Sequence, residues 1–179
     1  RQSETLLSLI SDIQDLGALS SARFSLHKTS QPVEPFLKEF CAASEILARH
    51  KNIRIVMDLS PDLPRTVCFD SLRIGQVLSN LVSNALKYSR PGTVITLRAK
   101  HQSGRLLMSV EDQGLGIPAM EHTKIFTPFG RTSVLPTSNE SSTGLGLYIC
   151  RQIVEAHGGQ IGFESREHEG SKLFFWIPS

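Results

Sequence analysis

The chain has 179 residues with a formal net charge of +2, and its hydrophobic fraction is 40% against a charged fraction of 20%. This composition is typical of one globular domain with its own core and excludes a disordered chain. Because no basic run and no apolar stretch of about 20 residues occurs, we expect no nucleic-acid or membrane contact by this chain. We expect a cytoplasmic fragment of a longer protein, which an upstream segment could anchor to a membrane.

The cysteines and histidines do not follow the spacing of a metal site. Cys41, Cys68 and Cys150 are widely separated, no CxxC pair occurs, and the six histidines form no HxxxH motif. An odd number of isolated cysteines predicts buried, reduced thiols in a cytosolic protein.

The first part of the chain predicts a helix followed by a connector. Residues 4–19 carry an apolar seam with the spacing of a coiled coil, formed by Leu6, Leu9, Ile13 and Leu16. Such a seam must pack on the rest of the chain, on an upstream helix or on a second subunit. Residues 20–33 predict a connector, in which Phe24 and Leu26 allow a short strand.

The middle of the chain alternates between helical and strand patterns. Residues 34–50 predict a helix whose apolar face is Phe36, Leu37, Phe40, Ala43 and Leu47. A strand is predicted at 53–59 and a loop with two prolines at 60–69. The strongest helical pattern covers 71–88, where Asp70 is the predicted N-cap.

The second half predicts paired strands around one further helix. A hairpin is predicted from strands 94–101 and 105–112, and a short helix before Ile125. Residues 130–142 predict a mobile surface loop. A helix over 143–157 and strands at 161–165 and 171–176 complete an α/β fold, with one sheet backed by helices.

Three polar residues share one border of the predicted helix 71–88. Asn80, Asn84 and Lys87 lie on the same side at 100° per residue. Amide oxygens suit Mg²⁺, which completes its shell with water and phosphate oxygens, and a lysine one turn away can contact those phosphates. The alternative is an ordinary solvated helix face.

A second motif, residues 111–118, ends a strand with an acid and continues with alternating glycines. The Asp112 carboxylate can accept a hydrogen bond from an exocyclic amine such as that of adenine, and Gly114 and Gly116 let the backbone approach a flat ligand. The alternative is an ordinary turn.

Two further motifs flank the predicted mobile loop. Residues 143–147 place two glycines before a helix, where free N–H groups attract anions, although a flexible hinge would look the same. In residues 125–131, two phenylalanines could anchor the loop while Arg131 reaches an anionic ligand. Core packing alone is the alternative for both rings.

In this order, the motifs resemble the N, G1, F and G2 boxes of the catalytic, ATP-binding domain of two-component sensor histidine kinases, in the GHKL superfamily. The matching segments are QVLSNLVSNALKYS, DQGLGIP, IFTPFGR and TGLGLYICRQIVEAHGG, and EGSKLFFWIP resembles the closing strand. The resemblance implies a two-layer α/β sandwich, the Bergerat fold, with an N-terminal helical appendage. Residues 1–20 would be part of the dimerisation and phosphotransfer hairpin, 21–31 a linker and 32–179 the catalytic domain.

The resemblance also implies roles for individual residues. Asn84 would coordinate Mg²⁺ with support from Asn80, Lys87 would contact phosphates, Tyr88 would lie against the base and Asp112 would bind the adenine amine. The remaining implied cofactor-binding residues are Gly114, Gly116, Ile117 and Phe126, together with Thr143, Gly144, Leu145, Gly146 and Leu147 near the triphosphate. Arg131 would assist Asn84 and Lys87 in catalysis, and residues 130–142 would be the ATP lid.

The reaction depends on the residue at position 80. Hydrolase relatives carry a glutamate there to activate water, whereas Asn80 cannot take a proton at neutral pH. Phosphoryl transfer is therefore expected rather than hydrolysis. The alternatives are a degenerate, non-catalytic module acting in dimerisation or signalling, and an ATP hydrolase. The degenerate reading is favoured by residues 141–143, which replace an extra glycine, and by Gly130, where a bulky residue is common.

No histidine of the chain has the sequence context of a phosphoacceptor. We therefore expect the acceptor on a separate, histidine-bearing helix of a dimerisation domain, either elsewhere in a homodimeric parent protein or on another polypeptide. The resemblance implies relay of the phosphoryl group to a response regulator or receiver domain. Residues 130–142 are expected to be poorly ordered without nucleotide, because their Ser, Thr, Pro, Asn and Gly side chains have little to bury.

Overall fold

The structure is a computed structural model that describes Gly17 and residues 25–137 and 143–179. The predicted helix 4–19, apart from Gly17, lies outside the described residues. So do Phe24 of the connector and residues 138–142 of the predicted lid.

The described residues contain seven strands, three α-helices and one 3₁₀ helix. In chain order they are β1 Thr29–Pro32, α1 Val33–His50, β2 Arg54–Leu59, β3 Thr66–Phe69, α2 Ser71–Tyr88, β4 Val94–Gln102, β5 Arg105–Asp112, the 3₁₀ helix Ala119–Lys124, α3 Gly146–Ala156, β6 Gln160–Arg166 and β7 Gly170–Pro178. None of the described helices is long and apolar enough to cross a membrane.

Five strands form one mixed sheet in the order β2-β4-β5-β7-β6, and β1 pairs with β3 in a separate antiparallel ribbon. Within the sheet, β2 runs parallel to β4 and the other pairs are antiparallel. All three α-helices contribute to the core that the inward side chains of the strands form. The predicted two-layer α/β sandwich is therefore confirmed.

Helix α2 follows its sequence pattern closely. The predicted apolar face is fully buried and consists of Ile74, Val77, Leu78, Leu81, Val82 and Ala85. The Asp70 side chain accepts a hydrogen bond from the Arg73 amide over 3.1 Å, so the predicted N-cap is confirmed. With one face held in the core, the opposite border of α2 is presented in a defined orientation.

Helix α1 buries only part of its predicted face, since Leu37 is fully buried and Phe36 and Phe40 pack against the core. Its buried residues are Val33, Leu37, Cys41, Ser44 and Ala48. Ala43 and Leu47 are exposed, Leu47 by 63%, so their predicted burial is wrong. The neighbours that α1 packs against decide which of two overlapping apolar stripes turns inward.

The predicted loop 60–69 is wrong at its end, because residues 66–69 form β3. This strand pairs with β1, with Thr29 opposite Phe69 and Pro32 opposite Thr66. Partners so far apart in sequence are invisible to a local pattern. In β3, Val67 and Phe69 turn inward, so Cys68 points outward and its predicted burial is wrong. Helix α3 also begins later than predicted, at residue 146 rather than 143.

Candidate functional site

A cavity of about 440 Å³ opens beside α2 and brings distant segments of the chain together. It is bounded by the polar border of α2, the ends of β5 and β7, residues 124–136 and the start of α3. The predicted site residues that line it are Asn80, Asn84, Lys87, Tyr88, Asp112, Gly116, Ile117, Arg131, Thr143, Gly144, Gly146 and Leu147.

Three predicted residues lie behind the cavity wall instead of lining it. The Gly114 amide donates to Asp112 Oδ1 over 2.8 Å, and Leu145 is fully buried in the core. The Leu145 amide donates to Thr143 Oγ1, and the Phe126 ring packs edge-on against Phe163 at 5.9 Å between centroids. Gly114 and Leu145 are thus hydrogen-bonded to lining residues, whereas Phe126 packs on a residue outside the lining.

The cavity also has lining residues that the motif analysis missed. They are Ser83, Lys124, Ser171 and Leu173, together with residues inside the predicted loop and F box: Ile125, Gly130, Thr132, Val134, Leu135 and Pro136. Ser83 could have been found from helical spacing, because it lies three residues after Asn80 and four before Lys87. Ser171 could not, since only the strand register brings it opposite Asp112.

The helix side of the cavity is polar and carries a buried cation. Asn80, Asn84 and Lys87 follow one another along α2 at intervals of four and three residues, and Lys87 is only 6% exposed. The Asn80 amide donates to the Gly146 carbonyl over 3.5 Å, and a Cβ on Gly146 would lie 3.2 Å from Asn80 Oδ1. The start of α3 therefore packs directly on the asparagine face of α2.

The opposite side of the cavity holds a buried carboxyl group. Asp112 is 6% exposed, and its Oδ1 accepts hydrogen bonds from the amides of Gly114 at 2.8 Å and Ser171 at 3.3 Å. Burial raises the pKa of Asp112 to about 6, although those two hydrogen bonds oppose the shift. Among the described residues only Oδ1 has hydrogen-bond donors, so Oδ2 is available to a donor on a ligand.

Two glycines allow the loops around the cavity to approach other backbone segments. Gly116 has a φ of +66°, and a Cβ there would lie 1.9 Å from the Arg166 carbonyl oxygen. At Gly130 a Cβ would lie 2.0 Å from the Lys124 carbonyl oxygen. The unusual glycine after the F box is therefore required by this tight turn.

The start of α3 presents main-chain groups to the cavity. The helix begins at Gly146, and the side chain of the N-cap residue Leu145 makes no capping hydrogen bond. The first N–H groups of a helix have no acceptor within it and carry the positive end of the helix dipole. Here they adjoin Lys87 and Arg131 on the cavity wall, so a negatively charged ligand group is favoured.

A profile of the family described as "Histidine kinase-, DNA gyrase B-, and HSP90-like ATPase" matches residues 69–179, which include every motif around the cavity. The chain belongs to this family. Its fold, motif order and relatives identify it as the catalytic ATP-binding domain of the sensor histidine kinase type, in the GHKL superfamily.

Relatives and solved structures extend the match to nearly the whole length of this chain. The signal transduction histidine-protein kinase BarA of Escherichia coli (strain K12) is 29% identical over 181 residues, covering 99% of this chain and 20% of BarA. Full-length ShkA in complex with AMPPNP superposes with a TM-score of 0.87 at 28% identity, covering 99% of this chain and 36% of ShkA. Histidine kinase ThkA in complex with the response regulator protein TrrA gives 0.78 at 30% identity, covering 98% and 48%. The chain thus spans less than a third of the length of the curated relatives it matches.

Proposed function

We propose that this kinase domain binds ATP and Mg²⁺ in the cavity and transfers the γ-phosphoryl group to a histidine on a separate dimerisation domain. One observation carries the proposal: a single cavity joins the buried carboxyl group of Asp112 to the amide and lysine face of α2. A purine and a triphosphate need these two different environments at opposite ends of one pocket.

The base would bind at the Asp112 end. Oδ2 of the carboxylate would accept a hydrogen bond from the adenine amine, while Oδ1 stays bound to the amides of Gly114 and Ser171. Tyr88 and Ile117 line the same cavity and offer apolar surface to the ring. The complex of the structural neighbour ShkA with AMPPNP supports this assignment.

The α2 side fits a magnesium ion. Asp112 is the single acidic residue among the described residues that line the cavity, so the ion would be held by the neutral oxygens of Asn84 and Asn80. Mg²⁺ commonly takes few protein ligands and keeps water and phosphate oxygens, which this donor set permits. When bound, the ion would neutralise charge on the phosphates.

The transfer step is mainly a matter of position and charge. Lys87, Arg131 and the first amides of α3 would hold the triphosphate in place. The bond between the γ-phosphorus and the β,γ-bridging oxygen breaks, a bond from the γ-phosphorus to an imidazole nitrogen forms, and ADP leaves. Hydrolysis has less support, because position 80 offers an amide where water activation needs a base.

His157 and His122, two of the six histidines of the chain, are poorly suited as acceptors. At His157, Nδ1 lies 2.8 Å from the Ile153 carbonyl oxygen and Nε2 accepts the Asp70 amide at 3.1 Å, so both ring nitrogens are engaged in a buried site. The His122 ring is hydrogen-bonded to the Ile117 carbonyl. An acceptor on another polypeptide segment is therefore favoured.

We also propose a division of the chain into three parts, which the family resemblance implies. Residues 1–20 would be one helix of the dimerisation hairpin, 21–31 the linker and 32–179 the catalytic domain of a homodimeric parent protein. The structure of ThkA with TrrA supports a response regulator as the subsequent phosphoryl acceptor.

The experiment mixes the chain with a purified histidine-bearing helical hairpin, [γ-³²P]ATP and Mg²⁺. We expect acid-labile label on the hairpin, and strongly reduced label with Asn84→Ala. Leu72→Ala, an exposed position on the same helix, is the matched control and should label like wild type. Label on a histidine of the chain itself, or release of phosphate at the same rate without the hairpin, would contradict the proposal.

A further inference from the structure

One wall of the cavity is a short segment that lacks regular secondary structure. Residues 131–137, here called the wall segment, follow the F box, and five of them line the cavity: Arg131, Thr132, Val134, Leu135 and Pro136. Because neither a helix nor a sheet holds this segment, its position must come from other contacts.

Side-chain hydrogen bonds hold the wall segment at two points. Near its start, the amide and hydroxyl of Ser133 donate to the Glu121 carboxylate at 2.9–3.2 Å. At its end, the amide of Thr137 donates to the Lys87 carbonyl at 3.0 Å. The Thr137 hydroxyl lies 2.9 Å from the carbonyl oxygens of both Lys87 and Ser89.

The carbonyls that receive Thr137 lie where α2 ends. The last carbonyl groups of a helix accept no hydrogen bond within the helix, so they need donors from elsewhere. Around this turn, the neighbouring carbonyls of Leu86 and Tyr88 accept from Lys51 Nζ at 3.4 Å and from the Leu115 amide at 3.2 Å. The end of α2 is thus a junction between the wall segment and the loop that follows Asp112.

We propose that Thr137 is a positioning residue for the nucleotide: it fastens the wall segment to the last turn of α2, beside Lys87 and Tyr88. Those two side chains line the cavity from the same turn whose carbonyls Thr137 binds. The hydroxyl therefore holds two facing parts of the nucleotide site at a set separation and contributes to ATP affinity without touching the ligand. This inference rests on the proposed function, that ATP binds in this cavity.

The test measures ATP affinity of the whole chain by calorimetric titration with Mg²⁺ for wild type, Thr137→Val and Thr137→Ser. Valine keeps the shape of threonine and the main-chain bond but removes the hydroxyl, so ATP affinity should fall roughly five- to tenfold. Serine retains the hydroxyl and should restore affinity to within about twofold. The melting temperature without nucleotide should change by less than about 3 °C, because the substitution removes one hydroxyl group from an exposed position.

Thr93→Val is the matched control. The Thr93 hydroxyl also donates to a carbonyl just beyond α2, that of Arg90 at 2.7 Å, but Thr93 does not line the cavity. It should bind ATP like wild type. If Thr137→Val lowers the melting temperature, Thr137→Ala is used in the affinity measurement instead, because it removes the same hydroxyl with a smaller side chain.

The outcomes separate this inference from the proposed function. Wild-type affinity in Thr137→Val, or affinity in Thr137→Ser as weak as in Thr137→Val, overturns the positioning role alone. Failure of the wild-type chain to bind ATP overturns both.

Discussion

Asp112 and Ser171 lie directly opposite each other on β5 and β7, and the Ser171 amide donates to Asp112 Oδ1 over 3.3 Å. The two residues are 59 positions apart in sequence and both line the cavity. The strand register therefore holds one carboxylate oxygen from behind and leaves the other for a ligand. Burial raises the pKa of Asp112 while its two hydrogen bonds lower it, and the raised pKa leads to two predictions.

ATP affinity should depend on pH through Asp112. Its pKa is raised to about 6, and only the ionised form leaves Oδ2 as an acceptor for the adenine amine while Oδ1 accepts from the Gly114 and Ser171 amides. Affinity should therefore be full at pH 7.5 and fall as the pH drops below about 6, when measured by titration between pH 5 and pH 8. In Asp112→Asn, the side-chain NH₂ group would face the adenine amine, and two donors cannot form a hydrogen bond. ATP binding should therefore be at least about tenfold weaker, and it should be nearly independent of pH. Equal pH profiles for the two proteins would contradict this role.

The stability of the nucleotide-free domain should change with pH in the opposite direction. The pKa of Asp112 rises from 3.8 to about 6 on folding, so the group favours the folded state below pH 3.8 and this contribution is lost as the pH rises through 6. Asp112→Asn removes the buried charge and should raise the free energy of unfolding at pH 7 by up to roughly 3 kcal/mol. Urea denaturation at pH 7 and pH 4 checks this, because the difference should shrink at pH 4.

Two glycine substitutions should have different effects. Gly116→Ala places a Cβ 1.9 Å from the Arg166 carbonyl oxygen at a φ of +66°, so it should destabilise the fold by about 2 kcal/mol or more. Gly146→Ala places its Cβ 3.2 Å from the Asn80 side chain, which can shift. Gly146→Ala should therefore weaken Mg²⁺-dependent ATP binding with little loss of stability. Thermal unfolding and ATP titration of both variants separate the two cases, and equal losses of stability would contradict the expectation.

Replacing a third glycine should increase the stability of the domain. Gly75 lies within α2, and a Cβ there meets nothing within 4 Å. Alanine has a higher helix propensity than glycine, so Gly75→Ala should stabilise the domain by about 0.5–1 kcal/mol in urea denaturation. ATP affinity should stay the same, because Gly75 does not line the cavity.

The core face of α2 should dominate the stability of the domain. Leu78 is fully buried, whereas Leu72 on the same helix is 78% exposed. Leu78→Ala should lower the free energy of unfolding by about 2–5 kcal/mol, and Leu72→Ala by less than about 0.5 kcal/mol. Similar losses for both would indicate that α2 packs differently in solution.

Much of this domain could be predicted from local sequence patterns. Helix α2, its buried face and its Asp70 cap follow from a periodicity of 3.6 residues and a capping side chain, which are properties of neighbouring residues. The same applies to the β4–β5 hairpin and to the order of the motifs that form the cavity.

Other features depend on contacts between residues far apart in the chain. No local pattern marks β3 as the partner of β1, Ser171 as the residue behind Asp112, or Thr137 as a donor to the end of α2. The sequence by itself determined the three α-helices, the five strands of the mixed sheet and the motifs that line the cavity, because backbone periodicity and capping act within a few residues. Only the tertiary structure decided which face of α1 is buried and how the cavity walls are joined, because those outcomes depend on the elements that pack together.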